Sequence, residues 1–217
     1  GAYIHRLKTG VGQRIDTSLF EAGIVHTYWQ SAIAFATGVS PVPMGSAHPL
    51  NAPYQAFETA DGWITIGAAN QANWMKLLDA LEAPHIGEDP RFSENPGRME
   101  NLSALVSVLA PIFKTRTSAD WLNRLERAGV PAGPVLDITA MHRDPQTLAR
   151  QMVLKVRHSK LGETETLGHP VKYSLTPVRI ERGAPMFGEH SREILSEHGY
   201  DEKTIDALIA AGAVVAA

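Results

Sequence analysis

Two polar side chains in the first third of the chain have the type and setting for chemistry. His48 lies in a proline-punctuated stretch, Val39 to Pro53, that also holds Gly45-Ser46 and Asn51. Proline removes backbone donors and fixes φ, so this stretch reads as a loop, and loops on a rigid scaffold are where binding groups concentrate. An imidazole there can hold a substrate carboxylate or position an acyl group, or it can simply bond neighbouring backbone. Asn70, in Gly67-Ala68-Ala69-Asn70-Gln71, is an amide. An amide is neither acid nor base at neutral pH, and its plainer role is to cap the helix that Gln71 opens.

Other chemistries find little support. The chain has no Cys, hence no disulfide, thiolate nucleophile or Cys-ligated metal. Nine His are scattered without a His-x-x-x-His pair, so no metal site is expected. There is no Gly-x-Ser-x-Gly elbow and no P-loop, and Gly10-Val11-Gly12 lacks both the third glycine and the preceding strand of a dinucleotide fingerprint. With 217 residues, 44% hydrophobic and 20% charged, the chain can bury a core. Net charge is −3 without a basic stripe, which argues against nucleic acid as a partner. The apolar runs are too short to span a bilayer, and a Cys-free chain fits the cytoplasm.

The elements that must position His48 and Asn70 follow from periodicity. Ala2 to Lys8 reads as the last turns of a helix, basic at its end as the dipole prefers, and Gln13 to Leu19 as a strand-like link. Leu19, Ala22, Val25, Trp29, Ile33 and Ala36 recur at helical spacing, predicting one long helix closed by Gly38, with Leu19 a core contact. Asp61-Gly62 between β-prone flanks predicts a hairpin, Tyr54–Ala60 against Trp63–Ala68, with both turn residues at φ > 0. Tyr54 and Trp63 are expected to pack this hairpin. Helices follow at Gln71–Leu81, at Leu102–Phe113 and from Thr117, an N-cap, to Gly129. Asp89-Pro90-Arg91-Phe92 and Glu94-Asn95-Pro96-Gly97 read as turns, with Arg91 and Arg98 as surface or ion-pairing groups. Beyond Gly129-Val130-Pro131-Ala132-Gly133-Pro134 come short helices at Ile138–His142 and Pro145–Met152, a strand at Val153–His158, extended chain over Val171–Glu181, and helices at Ser191–His198 and Glu202–Ala211. The divisions expected are 1–50, 51–133 and 134–217.

Several ordered segments together resemble one family, the family III CoA-transferases, which include carnitine-CoA transferase and α-methylacyl-CoA racemase types. They are Arg6-Leu7-Lys8-Thr9-Gly10-Val11-Gly12-Gln13 with Ile15-Asp16-Thr17-Ser18-Leu19; His48-Pro49 with Ala52-Pro53-Tyr54; Asp61-Gly62; Asp89-Pro90-Arg91-Phe92; Gly129 to Val135; Asp144-Pro145-Gln146; Gly168-His169-Pro170-Val171-Lys172; and Leu175-Thr176-Pro177 with Gly188-Glu189-His190. No one segment is decisive; their order along nearly the whole chain carries the likeness.

The resemblance implies a fold of α/β and α+β parts: the exit from a Rossmann-like large domain, a small α+β domain, and the return, in an interlocked homodimer. It implies CoA transfer between an acyl-CoA and a carboxylic acid through an aspartyl-CoA thioester, with the CoA thioester as substrate and no permanently bound cofactor. The nucleophilic Asp is expected shortly before Gly1, so no catalytic residue is expected among these residues and the isolated chain is expected to be inactive; Asp16 is assigned a structural role. Met44 to Asn51 matches the family's glycine-rich covering loop, making Gly45, His48 and Asn51 candidates, although Gly45 is its single glycine. Asn70 matches the position of a catalytic Glu in the racemase branch, and its amide favours transferase over racemase or epimerase. Leu19 matches a position near CoA, and Arg6 and Lys8 are placed to meet CoA phosphates or to be a solvated helix end. A reading of another class, a non-catalytic dimerisation or interaction fragment, stays open.

Overall fold

Alternation of side chains builds the first sheet. Strand β1 (Tyr54–Glu58) pairs antiparallel with β2 (Trp63–Gly67), Phe57 opposite Ile64 and Gln55 opposite Ile66. Phe57, Ile64 and Ile66 turn to one face and are buried, while Tyr54, Glu58, Trp63 and Thr65 stay exposed. Tyr54 and Trp63 therefore contribute less to the packing than the sequence suggests. A third strand, β3 (Ala132–Pro134), adds to the β2 side, leaving β1 at the edge.

The turn differs from expectation. Neither Asp61 nor Gly62 has positive φ. The connection is a four-residue loop in which Thr59 N–H donates to Gly62 O (2.9 Å). Asp61 turns its carboxylate outward from the hairpin to accept Ser118 N–H (2.7 Å) and Thr59 Oγ1–H (3.2 Å). These tertiary bonds outweigh the local preference for a two-residue turn.

Helices α4 (Gln71–Ala80), α6 (Leu102–Phe113) and α7 (Ser118–Ala128) cover the buried face of the hairpin with Trp74, Leu77, Leu78, Leu105, Leu109, Phe113, Trp121 and Leu125. Phe113 stacks on Phe57 (centroids 4.7 Å) and meets Trp121 edge-on (5.3 Å), and Trp121 Nε1–H donates to Phe113 O (2.7 Å). Thr117 caps α7 and Gly129 closes it at φ 68°, both as expected. Between α4 and α6 lies a 3₁₀ turn at Pro84–Glu88, and Glu94-Asn95-Pro96-Gly97, read as a turn, opens a short helix, α5 (Asn95–Glu100), with Pro96 in its first turn.

The computed structural model describes residues 1–217, which form two units, Gly1–Gly133 and Pro134–Ala217. The first unit begins with α1 (Ala2–Thr9), α2 (Leu19–His26) and α3 (Tyr28–Thr37), none of which buries a residue. One long helix was expected; two form. Thr27 breaks it by turning its hydroxyl back to Ile24 O (2.7 Å), a bond that competes with helix continuation. Gly38 closes α3 in the left-handed region, as expected. Gln13 to Ser18 finds no strand partner, so the strand-like link is not a strand.

The second unit contains α8 (Ile138–Arg143), α9 (Pro145–Ala149), the hairpin β4 (Val153–His158) and β5 (Gly162–Leu167), and helices α10 (Ser191–Glu197) and α11 (Glu202–Ala210). Asp201 caps α11, its carboxylate accepting Thr204 N–H. Val156 and Ile205 are its buried apolar side chains. The α/β and α+β class holds: helices accompany small antiparallel hairpins. No helix is long and apolar enough to cross a membrane.

Candidate functional site

The loop that leads into β1 is held in a definite shape. Gly45 takes φ 62°, a region side chains disfavour, and Ala47 N–H closes the turn on Met44 O (3.1 Å). Ser46 Oγ accepts Ala56 N–H (3.1 Å), fastening the loop to the free edge of β1. His48 N–H then donates to Tyr54 O (2.9 Å).

The His48 ring is fixed on three sides. It stacks on Tyr54 (centroids 5.0 Å, planes 6° apart) and meets the edge of Trp29 from α3 (4.8 Å, 74°). Its Nδ1 accepts Leu50 N–H (3.1 Å). A neutral imidazole whose Nδ1 accepts carries its proton on Nε2, so the free nitrogen is a donor. That is the polarity needed to hold a carboxylate or acyl oxygen. Tyr54 and Trp29 were not among the sequence candidates, and only the fold shows that their exposed rings orient His48.

Asn51 joins this loop to the far side of the hairpin. With its amide nitrogen towards the carbonyls of Ala69 (3.1 Å) and Leu50 (3.3 Å), it bridges to the residue preceding Asn70. Asn70 caps α4, its Oδ1 accepting Asn73 N–H (2.8 Å), which is the plainer of its two expected roles. The structure thus brings Gly45, His48, Asn51 and Asn70 into one connected neighbourhood. Leu19 takes no part in those bonds. It opens α2 behind the Ser18 cap and is 94% exposed, so its expected core contact is not made. Arg6 and Lys8 lie on exposed α1, and Asp16 pairs with Arg14 in solvent.

Arg98 is the largest departure. Expected at the surface, it is fully buried, with burial pushing its pKa below the ordinary guanidinium value. The turn-like Glu94-Asn95-Pro96-Gly97 hid the helix that carries it, and no local signal marks it for burial. Arg91 does pair at the surface, with Asp89 (2.7 Å), which holds that carboxyl below its usual range.

In the second unit, His169, Val171 and Lys172 line a cavity of about 590 Å³ together with Arg150, Tyr173 and Arg179. No group of three or more His, Asp or Glu is arranged to hold a metal.

A glycine-bearing, hydrogen-bond-pinned loop at a sheet edge, presenting an imidazole donor, suits recognition of an acyl or carboxylate oxygen. Comparison with known proteins gives the family. Residues 1–191 match the model of CoA-transferase family III, and the chain belongs to that family. It is 35% identical over 198 residues to the acetyl-CoA:oxalate CoA-transferase of Acetobacter aceti, covering 91% of this chain and 50% of that protein. It is 30% identical over 212 residues to the succinyl-CoA:glutarate CoA-transferase of Homo sapiens, covering 97% and 48%. Among solved structures, a CAIB/BAIF family protein from Brucella suis superposes with a TM-score of 0.75 at 33% identity, covering 90% of this chain and 50% of that one. The chain spans about half the length of the curated relatives it matches.

Proposed function

We propose that the protein transfers coenzyme A between an acyl-CoA and a carboxylic acid. The observation that carries this reading is the family match over residues 1–191, supported by relatives named as CoA-transferases along more than nine-tenths of this chain. Dicarboxylates of the oxalate and glutarate kind are the acceptors those names suggest. The chemistry is a covalent relay. A carboxylate attacks the donor thioester, forming a mixed anhydride and releasing CoA thiolate. The thiolate then attacks the enzyme's acyl carbon, giving the enzyme–CoA thioester and freeing the donor acid. The acceptor carboxylate reverses both steps. We assign no residue of this chain to the nucleophile.

The role proposed for this chain is to hold the acid. His48 Nε2–H donates to a carboxylate or acyl oxygen at the loop rim, with Gly45 and Asn51 shaping the loop and Asn70 bordering it. Leu19 remains the candidate for contact with CoA. The amide at Asn70, already committed to capping α4, disfavours racemisation. We further propose cytoplasmic homodimers and a functional division at 1–50, 51–133 and 134–217. The exposed Phe20, Val25, Tyr28 and Phe35 of α2 and α3 support an assembly that covers them.

The test is direct. The full-length protein, given succinyl-CoA or acetyl-CoA with a panel of dicarboxylates, is expected to yield the acceptor's CoA thioester by mass spectrometry. Deuterium entry at the α-carbon without transfer would favour racemisation, and no product from any pair would overturn both. His48→Ala is expected to lower kcat/KM for the acceptor on the order of tenfold, the worth of one ordinary hydrogen bond lost to the acid. Sedimentation as a monomer at micromolar concentration would remove the dimer.

A further inference from the structure

We infer that Asn95 and Arg98, on the short helix α5, are positioning residues that set the geometry of the His48 loop for transfer. This rests on the transferase reading of that loop.

Two side chains hold three backbone polar groups at the loop's end. Asn95 Nδ2–H donates to Leu50 O (2.9 Å), and Asn95 Oδ1 accepts Ala52 N–H (3.0 Å). Arg98 Nε–H donates to Ala52 O (2.6 Å). Leu50 is the residue whose N–H fixes the His48 ring, and Asn51, between the two clamped residues, reaches Ala69. A shift of the Leu50–Ala52 backbone therefore moves the imidazole and its proton.

The same guanidinium reaches the other border of the site. Arg98 Nη1–H donates to Gln71 Oε1 (3.1 Å) and to Phe92 O (3.0 Å), and the guanidinium lies over the Trp74 ring (5.0 Å). Gln71 follows Asn70 and in turn donates to Ser93 O (2.7 Å). One buried cation thus ties the end of the His48 loop to the start of α4.

The helix that carries both residues sits unusually close to its neighbour. A Cβ at Gly97 would lie 2.7 Å from Arg91 O, so only glycine permits this approach. The arrangement is also expensive. Arg98 is buried, its partners are carbonyl and amide oxygens and not a carboxylate, and its Nη2 has no partner at all. A core needs no such group for stability; an aliphatic side chain would fill the space at lower cost. What the guanidinium supplies is a rigid, planar link, made through Nε–H and Nη1–H, between two segments that a hydrophobe cannot orient.

The test uses Asn95→Ala, Asn95→Asp and Arg98→Lys in the full-length protein. For Asn95→Ala, amide exchange at Leu50 and Ala52 is expected to quicken about tenfold while exchange in α6 stays unchanged. With the same acyl-CoA and dicarboxylate panel, KM for the acceptor is expected to rise and its kcat/KM to fall on the order of tenfold, with KM for the donor unmoved. Asn95→Asp keeps an acceptor for Ala52 N–H and is expected to recover part of the loss. Arg98→Lys keeps the charge but not the fork and is expected to show the same kinetic split, with folding checked by the same α6 exchange. A merely structural role would lower kcat for all substrates equally, leaving every KM unchanged, and would overturn the inference. Unchanged exchange at Leu50 and Ala52 would overturn the clamp. Faster exchange with unchanged acceptor kinetics would overturn its part in transfer while leaving the transferase reading intact. Absence of transfer in the wild type would overturn both.

Discussion

Residues 52–130 and residues 1–50 are both rich in large apolar side chains, yet only the first set buries them. Trp74, Leu109 and Phe113 are fully enclosed, whereas Leu19 is 94%, Phe35 89% and Phe20 77% exposed. Helical periodicity is present in both regions, so periodicity alone does not decide burial. In residues 52–130 the helical stripes meet a strand face of matching pattern, Phe57, Ile64 and Ile66. Helices α2 and α3 are apolar around much of their circumference and meet no such face within the unit. Periodicity therefore yields a core only where a complementary face exists; residues 52–130 have one, and the apolar faces of α2 and α3 stay uncovered within the unit.

The largest expected effect would break that comparison. Phe113→Ala removes a ring packed between Phe57 and Trp121 and leaves a cavity, with an expected loss of about 3–5 kcal/mol. In the unassembled chain, Phe35→Ala, of the same chemistry but 89% exposed, is expected to change stability by less than ~0.5 kcal/mol. Urea denaturation followed by tryptophan fluorescence measures both. Comparable losses for the two variants would mean that α3 belongs to the core after all.

What was legible in the sequence follows the same division. The hairpin, α4, α6 and α7 were readable because the residues that fix them are local: alternation at Phe57, Ile64 and Ile66, and caps at Asn70, Thr117 and Gly129. Strand β5 was not, because Gly162-Glu163-Thr164-Glu165-Thr166 carries no apolar alternation and is held by pairing with β4. The break at Thr27 depends on one hydroxyl choosing a backward bond. At the site, His48, Asn51 and Asn70 were legible as residue types in a loop and at a cap. Arg98 was not, because nothing local marks a cation for burial; its partners lie at Ala52 and Gln71, far along the chain.

A smaller effect sharpens the boundary between local and tertiary control. Thr117 Oγ1 accepts Asp120 N–H (3.3 Å) at the start of α7. Thr117→Ala is expected to cost about 1 kcal/mol by removing the cap, and Thr117→Ser to restore most of it. Equal losses in both variants would show that the methyl group, not the hydroxyl, matters at this position.

The smallest expected effect concerns Asp61, where tertiary bonding displaced a local turn preference. Its carboxyl is held below the ordinary value of 3.8, chiefly by the Ser118 N–H, which desolvation opposes, and further by the Ser118 and Thr59 hydroxyls. A carboxyl depressed on folding contributes stability that is complete above its unfolded pKa, ~3.9, and fades as pH falls through the lower folded value. Asp61→Asn keeps the shape and one acceptor oxygen but loses the charge. At neutral pH the variant is therefore expected to unfold at slightly lower urea than the wild type, and the two curves are expected to converge in acid, below the folded pKa. A gap that persists unchanged into acid would mean that the charge is irrelevant and that the carboxylate serves only as a hydrogen-bond acceptor. The link between the hairpin tip and α7 would then rest on geometry alone, as the caps of the surrounding helices do.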